Sequence, residues 1–440
     1  MARGTILYGL AGISLATLGF GLPVLAADLP LKADPLVDPS FPVALRPFSQ
    51  ALTDGTPSPY QLRLQYTGEA WRNDGGTKTG NDYMSNYLAV LKIDTGKAFG
   101  WTGGQFVVSG FYTNGQSLND TYVGAAQQAS RPIDVYSPNL LRLYQAYYDQ
   151  KLGNTDIRIG VMDLETEFGI TRPMDVFLNA AYAWTQTLDI SGRSGLNGPS
   201  TYPNTALGGR IRQTINDQWS VQLAVVDGLA DGPQITPGVP PQSNSINFGN
   251  ATGALAIAEV DYTPFARTKI MAGYWIYTGL LNLNSANPYL RNAPQSRDSN
   301  GAYIGGATRL YTIKDARGLD AFVNFGIADS TVNFTDRSVN AGLTWTGLFD
   351  VRPADKIGLG VGVIHATQSS RTILSSIGFA GSEYETNFEL TYRARLSDWL
   401  TVQPDIQYIM HPEFAMPTSG KVKNALVFGL HFELGHLFNL

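Results

Sequence analysis

Ten polar or aromatic side chains occupy positions that alternate with apolar residues, and they are the residues best suited to bind a solute. They are Arg63, Arg158, Arg210, Arg212, Glu259, Trp275, Glu385, Glu389, Asp405 and Gln407. Arginine carries a rigid fork of hydrogen-bond donors, whereas glutamate, aspartate and glutamine supply acceptor oxygens. Because their mixed charges leave little net field, the set suits weak contacts with a neutral, hydroxyl-rich molecule. The alternative for each residue is structural, since an Arg–Glu pair also braces a wall or holds a loop.

Catalytic and metal-binding patterns are weak in this sequence. The chain has no cysteine and its four histidines form no H-E-x-x-H pattern, so no metal or other cofactor is predicted. Asp163, Glu165 and Glu167 offer the oxygen ligands that hard cations prefer, but a solvated acidic turn is the simpler interpretation. Glu385 and Glu389 lie about 13 Å apart along a strand, farther than the ~5–5.5 Å or ~6.5–9.5 Å of glycoside hydrolases. No enzyme is predicted, although carboxylates on neighbouring strands leave a secreted carbohydrate-active enzyme as a lesser alternative.

The composition favours many short strands over long helices. Charged residues make up 15% of the 440 residues, against roughly 25% in a typical soluble domain, while glycine and aromatic residues are abundant. After residue 30 no segment has the ~18 consecutive apolar residues of a membrane helix, which excludes a helical transporter. The net charge of −5 argues against a nucleic-acid partner, because such a protein would show a clustered basic surface.

Segments with a period-two alternation recur from residue 60 to the C-terminus. Ala258 and Val260, for example, alternate with Glu259 and Asp261. Successive side chains of a strand point to opposite faces, so each segment has one apolar and one largely polar face. Short turns and long polar stretches both separate these segments, as expected of an outer-membrane β-barrel with tight periplasmic turns and longer extracellular loops. The turns include 216–218, 263–265 and 396–398, and the long stretches include 114–139, 163–203, 229–250, 279–299 and 366–382.

The predicted fold is all-β, a transmembrane antiparallel β-barrel of sixteen strands. Divided among sixteen strands, the ~413 residues after residue 27 give about 26 residues for each strand and its connection. Fourteen or eighteen strands would give about 30 or 23. A sixteen-stranded barrel is wide enough for an aqueous channel. A soluble sandwich or propeller also alternates, but here aromatic residues lie near the segment ends, where a membrane barrel has its interfacial girdles.

The N-terminal region is predicted to lie outside the barrel. Residues 1–27 combine an early Arg3, an apolar stretch and small residues before Asp28, which is the layout of a cleaved secretory signal peptide. A membrane anchor is the alternative. Residues 28–59 are rich in proline and are interpreted as an extended lead-in, so the barrel domain is assigned to residues 60–440.

Six stretches of the chain carry a family resemblance. They are QYTGEAWRNDGG (65–76), RIGVMDLETEF (158–168), AIAEVDY (256–262), GYWIYTG (273–279), YETNFELTY (384–392) and QPDIQYIMHP (403–412). In this order they resemble the carbohydrate-selective porin family (OprB type) of bacterial outer membranes. The resemblance covers nearly all of the chain after the leader. One departure is the C-terminus, Phe438-Asn439-Leu440, because such barrels usually finish in an aromatic residue.

The resemblance implies a function and partners. It implies a sixteen-stranded porin that passes monosaccharides such as glucose down their gradient, through a constriction made by inward loops and lumen-facing side chains. The expected partners are such a sugar and outer-membrane lipid, with the chain either a homotrimer or a monomer. A general or anion-preferring porin is the alternative, because the arginines are expected to face the lumen.

Overall fold

The computed structural model describes most of the chain after residue 57. The described residues are 58–131, 139–190, 199–228, 230, 253–278, 299–314, 316–331, 333–368, 371–372, 382–412 and 422–440. The predicted signal peptide (1–27), and all of the predicted lead-in (28–59) except Ser58 and Pro59, lie outside these described residues. Within the described ranges, no helix has the length and apolar character needed to cross a membrane.

Sixteen antiparallel strands close into one barrel, which confirms the predicted fold class. The strands pair in chain order, and β1 closes the barrel by pairing with β16. They are β1 (Tyr60–Gly76), β2 (Gly80–Asp94), β3 (Gly104–Asn114), β4 (Leu141–Leu152), β5 (Thr155–Met162), β6 (Ala206–Thr214), β7 (Trp219–Asp227), β8 (Ala254–Tyr262), β9 (Thr268–Thr278), β10 (Ser299–Lys314), β11 (Arg317–Ala328), β12 (Thr335–Thr346), β13 (Lys356–Ala366), β14 (Tyr384–Arg395), β15 (Leu400–Met410) and β16 (Lys423–Asn439).

The alternation in the sequence becomes the two faces of the barrel wall. On β8, Val260 points outward and is 41% exposed, whereas the neighbouring Glu259 points inward and is 2% exposed. On β14, Phe388 and Leu390 lie on the exposed outer face and Glu389 between them is buried. Because the side-chain period of a strand is two, the pairing register keeps the outer face apolar, whereas the inner face carries the polar side chains together with buried apolar ones such as Leu255 and Ile257.

The connections are short at one end of the barrel and mostly long at the other. At the turn end, β4 and β5 are joined by residues 153–154, and β6 and β7 by residues 215–218. Gly153 has a φ of +60°, a left-handed conformation that glycine adopts without steric cost. The β2–β3 connection at this end contains the short helix α1 (Thr95–Phe99). The loop end carries the long connections, with residues 77–79 between β1 and β2 as a short exception.

Two stretches of the loop-end connections fold into the barrel. We call residues 117–131 the first inward segment and residues 163–190 the second inward segment. They contain a single π-helical turn (Asn119–Val123), two 3-10 turns (Arg172–Val176 and Ala180–Tyr182) and the helical turn α2 (Gln186–Asp189). The buried rings of Phe177 and Tyr182 pack against Phe322 of β11, with ring centroids 5.6 and 6.2 Å away. Much of the apolar core therefore lies inside the barrel, between these segments and the wall.

Three glycines on the inner face of β13 make room for the second inward segment. They are Gly358, Gly360 and Gly362. A Cβ atom at Gly360 would lie 2.7 Å from the Tyr182 ring, and one at Gly362 would lie 2.4 Å from the Ala181 Cβ. These distances are too short for a Cβ contact, so side chains at these positions would displace the segment from the wall.

Candidate functional site: the barrel interior

All ten predicted site residues lie on the inner face of the wall, but the structure places them in two groups. Arg158 (β5), Arg210 and Arg212 (β6), Glu259 (β8) and Trp275 (β9) share one sector. Arg63 (β1), Glu385 and Glu389 (β14), and Asp405 and Gln407 (β15) share another. Nine of the ten are less than 9% exposed, and Arg212 is the exception. The residues thus line two parts of the interior rather than converging on one point.

Each of the three guanidinium nitrogens of Arg158 donates to a carboxylate. Its Nε and Nη2 donate to the two oxygens of Asp149 at 2.7 and 2.8 Å, and its Nη1 donates to Glu167 Oε1 at 3.0 Å. The guanidinium carbon also lies 3.9 Å from the centroid of the Tyr147 ring, a distance typical of a cation–π contact. Arg210, opposite Arg158 in the register, lies 3.4 Å from the other oxygen of Glu167. Glu167 of the second inward segment is therefore held between two wall arginines.

Glu259 and Trp275 are packed behind the second inward segment. The Glu259 carboxylate accepts hydrogen bonds from the Gly169 N–H at 2.6 Å, Gln222 Nε2 at 3.0 Å and the Tyr303 hydroxyl at 2.7 Å. Trp275 is 0% exposed and belongs to the largest buried apolar cluster. Both side chains therefore fix the segment and the wall, and neither presents its face to water.

Arg212 is the predicted site residue that water reaches best. Its side chain is 37% exposed, and its Nη2 lies 3.3 Å from Asp261 Oδ2, which is 8% exposed. Lys269 shares that carboxylate at 2.9 Å and is itself 29% exposed. In these two contacts the cations are more exposed than the acid that they share, and Asp156, opposite Arg212 in the register, is also 37% exposed.

The candidates on β14 and β15 hold the inward segments. Glu385 accepts hydrogen bonds from two backbone N–H groups of the first segment, and Glu389 from two of the second. Gln407 donates to the Ala129 carbonyl at 2.7 Å and accepts from Asn179 Nδ2 at 2.9 Å. These contacts match the structural alternative, in which an inward-facing acid holds a loop.

A further ionic network lies beside this group and was not predicted as a site. His431 Nδ1 lies 2.7 Å from Glu69, its Nε2 lies 3.3 Å from Glu433, and Arg393 donates to Glu433 at 2.8 Å. The two remaining candidates lie nearby on the wall: Arg63 donates to Gln65 at 2.6 Å, and Asp405 accepts from Gln407 at 2.9 Å. The alternation places His431 and Glu433 on the inner face, but only the closure of β16 onto β1 brings Glu69 to them.

The interpretation of Asp163, Glu165 and Glu167 as a solvated acidic turn is wrong. The three residues are 1%, 1% and 6% exposed, and their carboxylates point to different partners. Asp163 accepts from the Tyr144 hydroxyl, Glu165 pairs with Arg131 of the first inward segment, and Glu167 lies between the wall arginines. Among the described residues, no group of three or more acidic or histidine side chains is arranged to hold a metal ion.

Tyr182 of the second inward segment shows how strongly the interior is desolvated. Burial, followed by the nearby carboxylates of Glu389 and Asp405, raises the pKa of Tyr182 well above its ordinary value. The hydroxyl therefore stays protonated and donates to Asn387 Oδ1 of β14 at 3.1 Å. This hydrogen bond also joins the second inward segment to β14, the strand that carries Glu385 and Glu389.

A closed sixteen-stranded antiparallel barrel, apolar outside and polar inside, defines the class of outer-membrane porins. Comparison with known proteins then gives the family. The family described as "Carbohydrate-selective porin, OprB family" matches residues 78–435. The chain belongs to the carbohydrate-selective porin family, OprB. It is accordingly a sugar porin of the bacterial outer membrane and not an enzyme.

Relatives of known sequence or structure cover most of the chain. Porin B of Pseudomonas aeruginosa is 25% identical in an alignment 413 residues long that covers 85% of this chain and 87% of that protein. The putative porin QuiX of Acinetobacter baylyi is 23% identical, over 85% of this chain and 89% of that one. The high-pH structure of Pseudomonas putida OprB has a similar fold, with a TM-score of 0.70 and 22% identity over 86% of this chain and 94% of that chain.

Proposed function

We propose that the barrel passes neutral monosaccharides such as glucose by passive diffusion. The observation that supports this most directly is the pairing of interior charges. In the β5–β9 sector, Arg158 and Arg210 lie against Glu167, and Arg212 and Lys269 share Asp261. Paired charges leave a weak net field, so an uncharged solute gains hydrogen-bonding groups without competing against a strongly attracted ion.

Within this proposal the ten predicted residues have two different roles. Arg212 is the proposed sugar contact, because its guanidinium is the most water-exposed of the set, and Lys269 is proposed beside it. The other nine are buried and are proposed to set the shape of the lumen by holding the wall and the inward segments in place. They are Arg63, Arg158, Arg210, Glu259, Trp275, Glu385, Glu389, Asp405 and Gln407. A sugar hydroxyl both donates and accepts, so an arginine fork beside an acid matches it well.

The domain assignment and the lipid partner are further parts of the proposal. We propose that residues 1–27 act as a signal peptide, that residues 28–59 precede the barrel as a lead-in, and that residues 60–440 form the barrel domain. The outer face is proposed to meet outer-membrane lipid. Exposed aliphatic and aromatic side chains such as Leu343, Leu359 and Phe388 support this, because exposed apolar residues belong against hydrocarbon in such barrels.

An anion-preferring porin is the second candidate, and one observation favours it. Arg212 and Lys269 are 37% and 29% exposed, whereas the Asp261 carboxylate that they share is 8% exposed. Arg212 and Lys269 therefore form a small basic surface that a solute meets, beside the exposed carboxylate of Asp156. Such a surface attracts small anions, as charged rings do in other pores.

The ion current through single channels in a planar bilayer distinguishes the two candidates. If neutral sugars occupy the lumen, glucose added to one side lowers the chloride-carried current in a saturable way. A chloride current that remains unchanged at high glucose would contradict sugar occupancy and leave the anion-preferring channel. Mannitol at matched osmolality is the control for viscosity and osmotic effects, because it lacks the ring of the proposed solute.

A further inference from the structure

Hydrogen bonds join the two inward segments directly to each other. The Arg131 N–H donates to the Leu178 carbonyl at 2.9 Å, and the Ala180 N–H donates to the Gln128 carbonyl at 2.9 Å. Asn179 Nδ2 adds a bond to the Gln127 carbonyl at 3.1 Å. These bonds make residues 126–131 and 178–180 a single body, which we call the paired inward body.

Two glutamates on one strand hold this paired inward body. Glu385 Oε2 accepts from the Ala126 N–H at 2.9 Å and Oε1 from the Gln127 N–H at 2.8 Å. Glu389 Oε1 accepts from the Leu178 N–H at 2.7 Å. Its Oε2 accepts from the next N–H along the chain, that of residue 179, at 3.0 Å. Each carboxylate thus binds two consecutive backbone N–H groups, one pair on each segment.

The arrangement is rigid for physical reasons. The side chains of Glu385 and Glu389 are 0% and 1% exposed, so water cannot replace the bonds that they make. A buried N–H that loses its acceptor is costly, and each carboxyl group supplies the acceptors of two such N–H groups. On the neighbouring β13, Gly362 lets the body lie directly against the wall, since a Cβ atom there would lie 2.7 Å from Gln127 Oε1. The position of the body is therefore set by the wall, where Glu385 and Glu389 of β14 supply four bonds and Gln407 of β15 makes two more.

From this geometry we infer that Glu385 and Glu389 are positioning residues that set the largest sugar the channel admits. They act through the paired inward body, which they hold at a fixed distance from the wall, and they do not contact the solute. The inference rests on the proposed function, since it assumes that a monosaccharide passes beside this body. Releasing either carboxylate should let the body shift and should widen the range of admitted sugars.

Glu385→Gln and Glu389→Gln test the inference. An amide keeps one acceptor oxygen but turns its NH₂ group toward the second backbone N–H, so one bond of each pair is replaced by a repulsive contact. The measurement is the swelling rate of proteoliposomes in glucose, maltose and maltotriose. We expect the maltose-to-glucose ratio to rise several-fold in each variant. Folded variants with the wild-type ratio would overturn the inference.

A matched control removes an interior carboxylate that holds neither segment. Asp320 pairs only across the wall in the contacts described, accepting from Arg309 Nε at 2.5 Å and Nη2 at 2.9 Å. Asp320→Asn also removes one negative charge, so a rise in its maltose-to-glucose ratio equal to that of the glutamate variants would show a charge effect and overturn the inference. A wild-type channel that admits maltotriose as fast as glucose would instead refute the proposed monosaccharide function.

Glu389→Asp provides a second variant in case the glutamine variants do not fold. It keeps the carboxyl group but shortens the side chain by one methylene, so it cannot hold both N–H groups at their present distances. Insertion as a folded barrel is checked by the heat-dependent mobility shift on a gel. We expect the same rise in the maltose-to-glucose ratio, and an unchanged ratio in the folded Asp variant would also count against the inference.

Discussion

The cationic side chains inside the barrel differ in how much of their hydrogen-bonding capacity is already used. Arg158 is 2% exposed, and it donates to both Asp149 and Glu167 while its face covers Tyr147. Arg212 makes one longer contact, 3.3 Å to Asp261, and keeps 37% of its side chain exposed. An arginine saturated by carboxylates organises the wall, whereas a partly free arginine can still donate to a solute.

Alanine variants of these two arginines should therefore separate binding from stability. We expect Arg212→Ala to raise the glucose concentration needed for half-maximal current block, with little change in thermal stability. Arg158→Ala leaves Asp149 and Glu167 without a main partner, and breaking a buried ion pair typically costs about 3–5 kcal/mol. Current block in planar bilayers and unfolding in detergent measure the two effects. Two results together would contradict this assignment of roles. They are an Arg158→Ala melting temperature equal to that of the wild type, and an Arg212→Ala channel that is half-blocked at the wild-type glucose concentration.

At the scale of elements, β13 is the strand whose sequence most directly accommodates the second inward segment. Its inner face carries glycine at three alternate positions, and the segment occupies the space that side chains would fill. A glycine on β6 provides a contrast. At Gly209 an added Cβ would meet only the Arg158 carbonyl, at an ordinary 3.6 Å. The same chemical change therefore has different consequences on the two strands.

Gly360→Ala is expected to destabilise the barrel interior, whereas Gly209→Ala is expected to be nearly neutral. The new methyl group at position 360 would overlap the Tyr182 ring, and overpacking a filled core typically costs about 1–3 kcal/mol. Thermal unfolding followed by near-ultraviolet circular dichroism reports on the packing of the aromatic rings. Equal melting temperatures for the two variants would show that the segment does not depend on contact with β13.

The strands could be predicted from the sequence, but most contacts of the inward segments could not. The strand prediction needs only local information, since the alternation of Val260 with Glu259 already fixes which face each side chain takes. The partners of Glu385 lie 258 and 259 residues away along the chain, and no local pattern joins positions so far apart. The family resemblance implied inward loops, but it did not identify the side chains that hold them.

The error at Asp163, Glu165 and Glu167 has the same cause. A run of acidic residues in a loop is solvated unless cations from elsewhere meet it, and the arginines that do so lie at 131, 158 and 210. The predicted site residues were placed on the correct face by alternation. Burial separates the nine buried residues from the solvent-exposed Arg212, and burial follows from the fold of the whole interior.

At the scale of the whole molecule, the barrel combines a continuous wall with an interior that is partly filled and in which several buried acids are paired with cations. Sixteen strands give the width of an aqueous channel, and the two inward segments then occupy part of that width. Some buried acids are stabilised inside by cations, as in the shared contacts of Glu167 and Asp261, and others by backbone N–H groups, as at Glu385 and Glu389. A channel built in this way should discriminate by size and hydrogen bonding more than by charge.

Uptake of labelled solutes into proteoliposomes tests this claim most directly. Glucose, glucuronate and glucosamine have similar sizes but are neutral, negative and positive at neutral pH, and protein-free liposomes give the background rate. The paired charges of the β5–β9 sector predict that glucose enters fastest and that its rate changes little between low and high salt. Faster entry of glucuronate than of glucose, with a rate that falls as salt is added, would contradict a neutral-sugar channel.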